Sequence, residues 1–230
     1  MIEMIQSFIL AAVPAILAIT LHEAAHGYAA WALGDDTAKR AGRLSLNPLV
    51  HVDRVGTILL PGFLLISQLL TIGHVNFMFG WAKPVPVGAW KFRTPRRGMM
   101  IVAAAGPAMN FLLAWLAGLA MYGVVLLPYK AAAIGLDLID NFIIVNLVLG
   151  LFNLLPIPPL DGGRIAVGLL PERLALKWAK IERYGIVVVL LFVFILPQLL
   201  HVNPVQDALE QILPWAANAV LFLSGHGRVA

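Results

Sequence analysis

The chain has 230 residues, of which 60% are hydrophobic and 12% charged, with a net charge of +4 and no cysteine. A soluble domain is about a quarter charged, so this is the composition of a membrane protein. The missing cysteines exclude disulfides and Cys-ligated metal sites, and the basic residues lie in loops between apolar segments, which excludes a nucleic-acid-binding patch.

Residues 5–33 predict a long helix, kinked at Pro14 and ended by Gly34-Asp35-Asp36. No Lys or Arg precedes this apolar run and no small-residue cleavage site follows it closely, so it reads as a span and not as a cleaved leader. Its second half carries His22-Glu23-Ala24-Ala25-His26. Positions i and i+4 share a helix face, so both imidazoles project the same way and suit one Zn²⁺ at roughly 2.0–2.1 Å. Glu23 stands beside the first His, placed to take a proton from a water at the metal. A lone core histidine is commoner than a ligand, but ionisable groups in a membrane-grade stretch are costly and read as functional.

Residues 55–73 are apolar but interrupted by Pro61-Gly62. Residues 74–98 are rich in Gly, Pro and aromatics around WAKPVPVG, and Pro84 and Pro86 bias the residues before them toward extended backbone. Residues 99–127 and 136–157 predict two further spans, and 171–183 an amphipathic basic helix at a membrane surface. Residues 184–200 and about 206–223 predict the last two, the second weakened by Asp207, Glu210 and Pro214. The whole is expected to be an all-α polytopic membrane protein of about five to six membrane segments. It forms one membrane-embedded domain over 1–230, with a core at about 5–165 and accessory helices at about 171–223.

Loops 34–54, 74–98 and 161–183 hold every Lys and Arg except Lys130 and Arg228. Basic loops stay cytoplasmic, and all three can share that face only if residues 55–98 return to the side they left. Segment 55–73 with its return is therefore expected to re-enter, with a short extended, β-like stretch near the site; its 19 residues would also permit a simple crossing.

A catalytic zinc keeps three protein ligands and one open position. Asp161, in Pro158-Pro159-Leu160-Asp161-Gly162-Gly163, is the best third candidate, because it closes a long apolar stretch where an unpaired carboxylate is costly. An ordinary Asp-Gly turn is the competing reading. The other histidines, at 51, 74, 201 and 226, are expected at the surface, and Glu172 and Glu182 fall in the amphipathic segment. His22 lies about 26 Å along its helix and Asp161 about 38 Å beyond residue 136, so the two meet at one depth only if their segments run the same way. That agrees with the re-entrant reading.

HEAAH in an apolar helix, GPAMN at 106–110, NLLPIPPLDGG at 153–163 and FGWAKPVPV at 79–87 together resemble the site-2 protease family of intramembrane zinc metalloproteases, in its small prokaryotic form. The resemblance covers about residues 15–185. It implies a three-helix catalytic core, one Zn²⁺ per chain held by His22, His26 and Asp161, and Glu23 as base. It also implies cleavage within or near the transmembrane segment of a membrane-protein substrate, as in regulated intramembrane proteolysis. Larger members carry PDZ or CBS domains, for which this chain has no room, and Leu160 stands where some members have Asn-Pro before the Asp-Gly. The expected location is a prokaryotic inner membrane, with the site toward the cytoplasm.

A helical substrate hides its scissile carbonyl, so it must unwind. The extended stretch 79–90, with Pro84 and Val85, is expected to pair with it by strand addition. Asn110 and Asn153 are candidates for holding substrate backbone or orienting a ligand, against the plainer role of interhelical hydrogen bonds. Lys83 reads as a solvated loop lysine. The alternative function, a non-enzymatic membrane metal-binding or transport protein, predicts ion-pathway carboxylates in several spans, and few stand beyond Glu23 and Asp161.

Overall fold

A computed structural model describes residues 2–71, 73, 80–191, 199 and 204–227. In chain order the elements are α1 (Ile2–Ala32), α2 (Thr37–Arg40), a 3₁₀ turn (Pro48–His51), a π-helical stretch (Arg54–Leu59) running into α3 (Leu60–Thr71), and a 3₁₀ turn (Ala89–Lys91). Then come α4 (Pro95–Val124), α5 (Tyr129–Asn153), α6 (Asp161–Leu169), α7 (Glu172–Ile181), a 3₁₀ turn (Glu182–Tyr184), α8 (Gly185–Leu190) and α9 (Pro204–Leu223). No strand occurs among the described residues.

Local chemistry sets several of these boundaries. Asn47 accepts from the Leu49 amide and opens the first 3₁₀ turn, and Asp53 accepts from the Val55 and Gly56 amides and opens the π-helical stretch. Pro95 sits at the start of α4, where its fixed φ suits a first turn. Helix α5 begins at Tyr129, seven residues before the sequence-based boundary at 136, because Lys130 and the alanines after it continue the helix. It ends at Asn153, just before the prolines at 156, 158 and 159, which cannot donate to a helix ladder.

Among the described residues, four helical segments are long and apolar enough to cross a membrane: Ile9–Ala32, Arg54–Thr71, Pro95–Val124 and Tyr129–Asn153. The expected span at 184–200 falls largely outside the described residues, while 206–223 lies within α9.

Helices α1, α4 and α5 pack on one another, α6 packs on α4, and α9 lies on the far side of α4 and α5. The contacts are made through small residues: Ala18, Ala24, Ala30, Ala103, Ala114 and Ala117 are all buried. Small side chains let helix backbones approach closely in lipid, where packing rather than water exclusion drives association. Ala114, Ala117, Ile139, Ile143, Leu147 and Val220 form the cluster that joins α4, α5 and α9. Large apolar side chains such as Phe63, Leu126 and Trp215 point outward, as lipid-facing residues do.

Helix α1 runs antiparallel to α4. Ala18 meets Asn110, His26 meets Val102, and Ala30 clusters with Phe92 and Val102. The end of α1 therefore stands beside the start of α4, and Lys91 Nζ lies 2.6 Å from Asp36 Oδ1 across the two loops. The intervening chain also comes back on itself. The Trp81 amide donates to the Gly56 carbonyl at 3.1 Å, and Thr57 Oγ1 donates to the Trp81 carbonyl at 2.9 Å. Gly56 is required there, since a Cβ would run into the Trp81 ring.

Candidate metal centre

One helical turn separates His22 from His26, and α1 turns both toward α4. Their Nδ1 atoms are committed. His26 Nδ1 lies 2.7 Å from the Val102 carbonyl, in the α4 turn preceding the buried Pro107. His22 Nδ1 lies 2.6 Å from Asn110 Oδ1. The orientation of that amide is itself fixed. Asn110 Nδ2 donates to Asn146 Oδ1 at 3.0 Å, and Asn146 Nδ2 donates to the Phe142 carbonyl at 2.9 Å. Both asparagines are fully buried. A relay through α5 and α4 thus requires the His22 proton to sit on Nδ1, and both imidazoles present Nε2 lone pairs.

Asp161 is the first residue of α6 and is buried. A Cβ at Gly162 would run into the Leu154 and Leu155 carbonyls, so glycine lets α6 start tight against the end of α5. Further along α6, Arg96 Nε donates to the Val167 carbonyl at 2.6 Å, and within its first half Arg164 Nη2 lies 2.6 Å from Glu182 Oε1.

The two Nε2 atoms are 3.1 Å apart, and Asp161 Oδ2 lies 3.1 Å from His22 Nε2 and 3.3 Å from His26 Nε2. These are three acceptors with no proton between them, and Asp161 Oδ2 is buried without a hydrogen-bond partner. Such a group is costly unless a cation lies among its members. Ligand atoms at roughly 2.0–2.1 Å from a tetrahedral ion stand about 3.3–3.4 Å apart, close to the separations here. His22, His26 and Asp161 thus fit a zinc ion. Gly106 fits the same picture, for a Cβ there would lie 2.5 Å from both imidazole rings.

Glu23 is not part of this convergence. Its Oε2 accepts the Val85 amide proton at 3.2 Å. Val85 belongs to an irregular extended stretch, 80–88, anchored at several points. The Lys83 amide donates to the His51 carbonyl at 2.8 Å, Arg43 Nη2 donates to the Lys83 carbonyl at 2.5 Å, and the Gly88 amide donates to Asp35 Oδ2 at 2.6 Å. No ladder forms because the partners are loop carbonyls and side chains. Pro84 lies between two anchors and lines the stretch without an amide to give.

Asp35 is wholly buried and also accepts from the Thr37 amide and hydroxyl, with Lys91 Nζ at 3.3 Å. Burial pushes the Asp35 carboxyl up, but the hydrogen bonds from Thr37 and Gly88, then Lys91, outweigh it and hold the pKa below the usual carboxylate value. Asp36 is lowered by Lys91, and Lys91 is raised by Asp36 and Asp35.

One sequence-based placement changes. His51 is buried, not at the surface: its Nε2 lies 2.8 Å from the Ser45 carbonyl, because loop 43–51 folds beneath the extended stretch. Asn153 donates to the Leu149 carbonyl one turn back. His226 stacks on Tyr122, and His74 and His201 lie outside the described residues. Asn146, Asp35 and Arg43 escaped the sequence reading. A polar residue facing inward from an apolar helix was the available signal for Asn146, and Asp35 looked like an ordinary helix-ending turn.

Comparison with known proteins gives concordant matches. The model of Peptidase family M50 matches residues 120–196, which include all of α5 and Asp161. "Putative zinc metalloprotease YwhC" of Bacillus subtilis is 43% identical over 188 residues, covering 79% of this chain and 78% of that protein. "Putative zinc metalloprotease Rip2" of Mycolicibacterium smegmatis is 35% identical over 193 residues, covering 80% of this chain and 67% of its own length. The Mycobacterium tuberculosis protein of the same name is 33% identical over 148 residues, 64% of this chain and 52% of that one. No solved structure matches the chain.

Proposed function

Because the chain belongs to peptidase family M50, the site-2 protease family, and is an intramembrane zinc metalloprotease acting on membrane proteins, we propose that His22, His26 and Asp161 hold one zinc ion and that Glu23 is the general base. The observation that carries this is the convergence of two Nε2 lone pairs and a buried carboxylate oxygen with no proton among them.

When bound, zinc supplies Lewis acidity, polarising a carbonyl oxygen and making water more acidic. The chain's own residues do the rest. Glu23 takes a proton from the attacking water as its oxygen bonds to the scissile carbonyl carbon. It returns that proton to the amide nitrogen as the C–N bond breaks. The Val85 amide holds one oxygen of Glu23, which leaves the other for the water. Asn110 and Asn146 keep the His22 proton on Nδ1, so that Nε2 stays a ligand.

The substrate segment unwinds and pairs along the stretch containing Pro84 and Val85. The backbone groups of Ala82, Pro84 and Pro86 make no bond among the described residues, which suits that role. Segment 55–73 with its return re-enters rather than crosses. The support is the Gly56–Trp81 bond, with the antiparallel course of α1 and α4. Loops 34–54, 74–98 and 161–183 then share the cytoplasmic face of a prokaryotic inner membrane. One domain of five to six membrane segments results.

Glu23→Gln tests the base assignment. It is expected to lower turnover of a single-span membrane substrate by about 10³-fold or more while leaving one zinc per chain. Metal analysis of the purified variant checks the second half, and substantial turnover by it would sink the assignment.

A further inference from the structure

Two charged residues outside the metal centre are buried where nothing in the reaction has yet used them. Asp35 is 0% exposed and Arg43 is 8% exposed. Both come from the loop after α1, and both spend their bonds on the extended stretch or on the loop beneath it. Asp35 accepts from the Gly88 amide at 2.6 Å and from the backbone and hydroxyl of Thr37. Arg43 donates Nη2 to the Lys83 carbonyl at 2.5 Å and Nη1 to the Val50 carbonyl. No carboxylate pairs with Arg43 among the described residues, and its Nε has no partner.

Burying a guanidinium against carbonyls alone is costly, and an apolar side chain would close the same loop at less cost. The positions held explain why charge is kept. Arg43 fixes residue 83 and Asp35 fixes residue 88, and between them lies Val85, whose amide holds Glu23 Oε2 at 3.2 Å. Val85 has no choice of direction, for its side chain is buried beside Gly27, one turn beyond Glu23 on α1. The intervening Pro84 and Pro86 have fixed φ angles, so two fixed ends leave little slack at residue 85.

We propose that Asp35 and Arg43 are positioning residues for catalysis. They clamp the two ends of the 83–88 bridge so that the Val85 amide orients the Glu23 carboxylate. The inference rests on Glu23 being the base. It predicts that loosening either clamp harms the base and leaves the metal ligands, which are oriented from α4 or stand on α6, untouched.

The test uses the full-length protein with zinc, in detergent, as wild type, Asp35→Asn, Arg43→Gln and Arg43→Lys. Valine-selective ¹⁵N labelling reads the Val85 amide, and the activity probe is a synthetic single-span peptide with one Asn-Gly pair at its centre. In Asp35→Asn and Arg43→Gln, hydrogen exchange at Val85 is expected to speed up by about tenfold, the loss of about one hydrogen bond's protection. Zinc content and exchange at Val102 in α4 stay at wild-type levels. The maximum rate falls by about tenfold with a smaller change in KM, Arg43→Lys recovers part of it, and in a Glu23→Gln background the clamp substitutions cause no further loss.

Unchanged Val85 exchange in both clamp variants overturns the proposal. So does faster exchange at Val85 and Val102 together, which would mean general loosening. Losses that stay fully additive with Glu23→Gln overturn it too. If Val85 responds as expected but Glu23→Gln turns the peptide over at close to the wild-type rate, the clamp stands and the assignment of Glu23 as base is what fails.

Discussion

Two of the three proposed metal ligands, His22 and His26, share one turn of α1 with Glu23, the proposed base, yet ligands and base are held by different means. His22, His26 and Asp161 are fixed by helix packing and by a buried amide relay that passes from α5 through α4. Glu23 is fixed by an amide on an irregular segment, which is itself held by charged side chains from a surface loop. Ligand positions thus inherit the rigidity of close-packed helices, whereas the base inherits that of ion-assisted hydrogen bonds near water. Conditions that loosen loops should reach the base before the ligands.

The largest expected effect removes the rigid side of this comparison. His22→Ala, His26→Ala and Asp161→Ala are each expected to lose zinc and about 10³-fold or more of activity, because two ligands are an incomplete site. An Asp161→Ala protein with full zinc content would show that the third ligand lies elsewhere. Gly106→Ala should behave almost as badly, since its Cβ would lie 2.5 Å from both imidazole rings.

An all-or-none experiment addresses the surface that carries the loop-borne clamp. Single cysteines at Ser45, Thr94 and Leu176 can be read without background, because the chain has none. All three are expected to resist a membrane-impermeant maleimide in intact cells and to react after permeabilisation. Labelling of position 94 alone in intact cells would make 55–73 a true crossing.

The amide relay offers a graded perturbation. Asn146→Leu removes the group that orients Asn110, and zinc affinity is expected to fall by about 10–100-fold, the usual cost of losing an outer-shell partner. Asn153→Ala, which loses one bond within its own helix, should change it little. Equal effects at the two positions would dissolve the distinction.

The smallest effect is a pH dependence confined to the clamp. The folded pKa of Asp35 is lowered, so the unfolded form binds protons first. The clamp's contribution is present above about pH 4 and is lost as pH falls through the folded value. Lys91 is raised, so its share is present below about pH 10.5 and is lost as pH climbs through its folded pKa. Limited proteolysis between 80 and 90 should therefore quicken below about pH 4 and above about pH 10.5. Cleavage within α1 and α4 should not follow it.

The sequence alone determined the elements whose physics is local. HEAAH fixed two imidazoles and a carboxylate on one α1 turn, because helical spacing does so wherever the helix is placed. Apolar runs marked α1, α4 and α5, and the carboxylate at 161 stood out because an apolar stretch makes charge expensive. Tertiary structure decided what depends on a partner far along the chain. The His22 tautomer comes from Asn110 and Asn146, 88 and 124 positions away, and no local pattern separates Asn146 from Asn153. Burial of His51, Arg43 and Asp35 is likewise set by how loop 34–54 folds beneath the stretch at 80–88. Polar loop residues look alike in sequence, and only packing tells which of them are removed from water and forced to find partners.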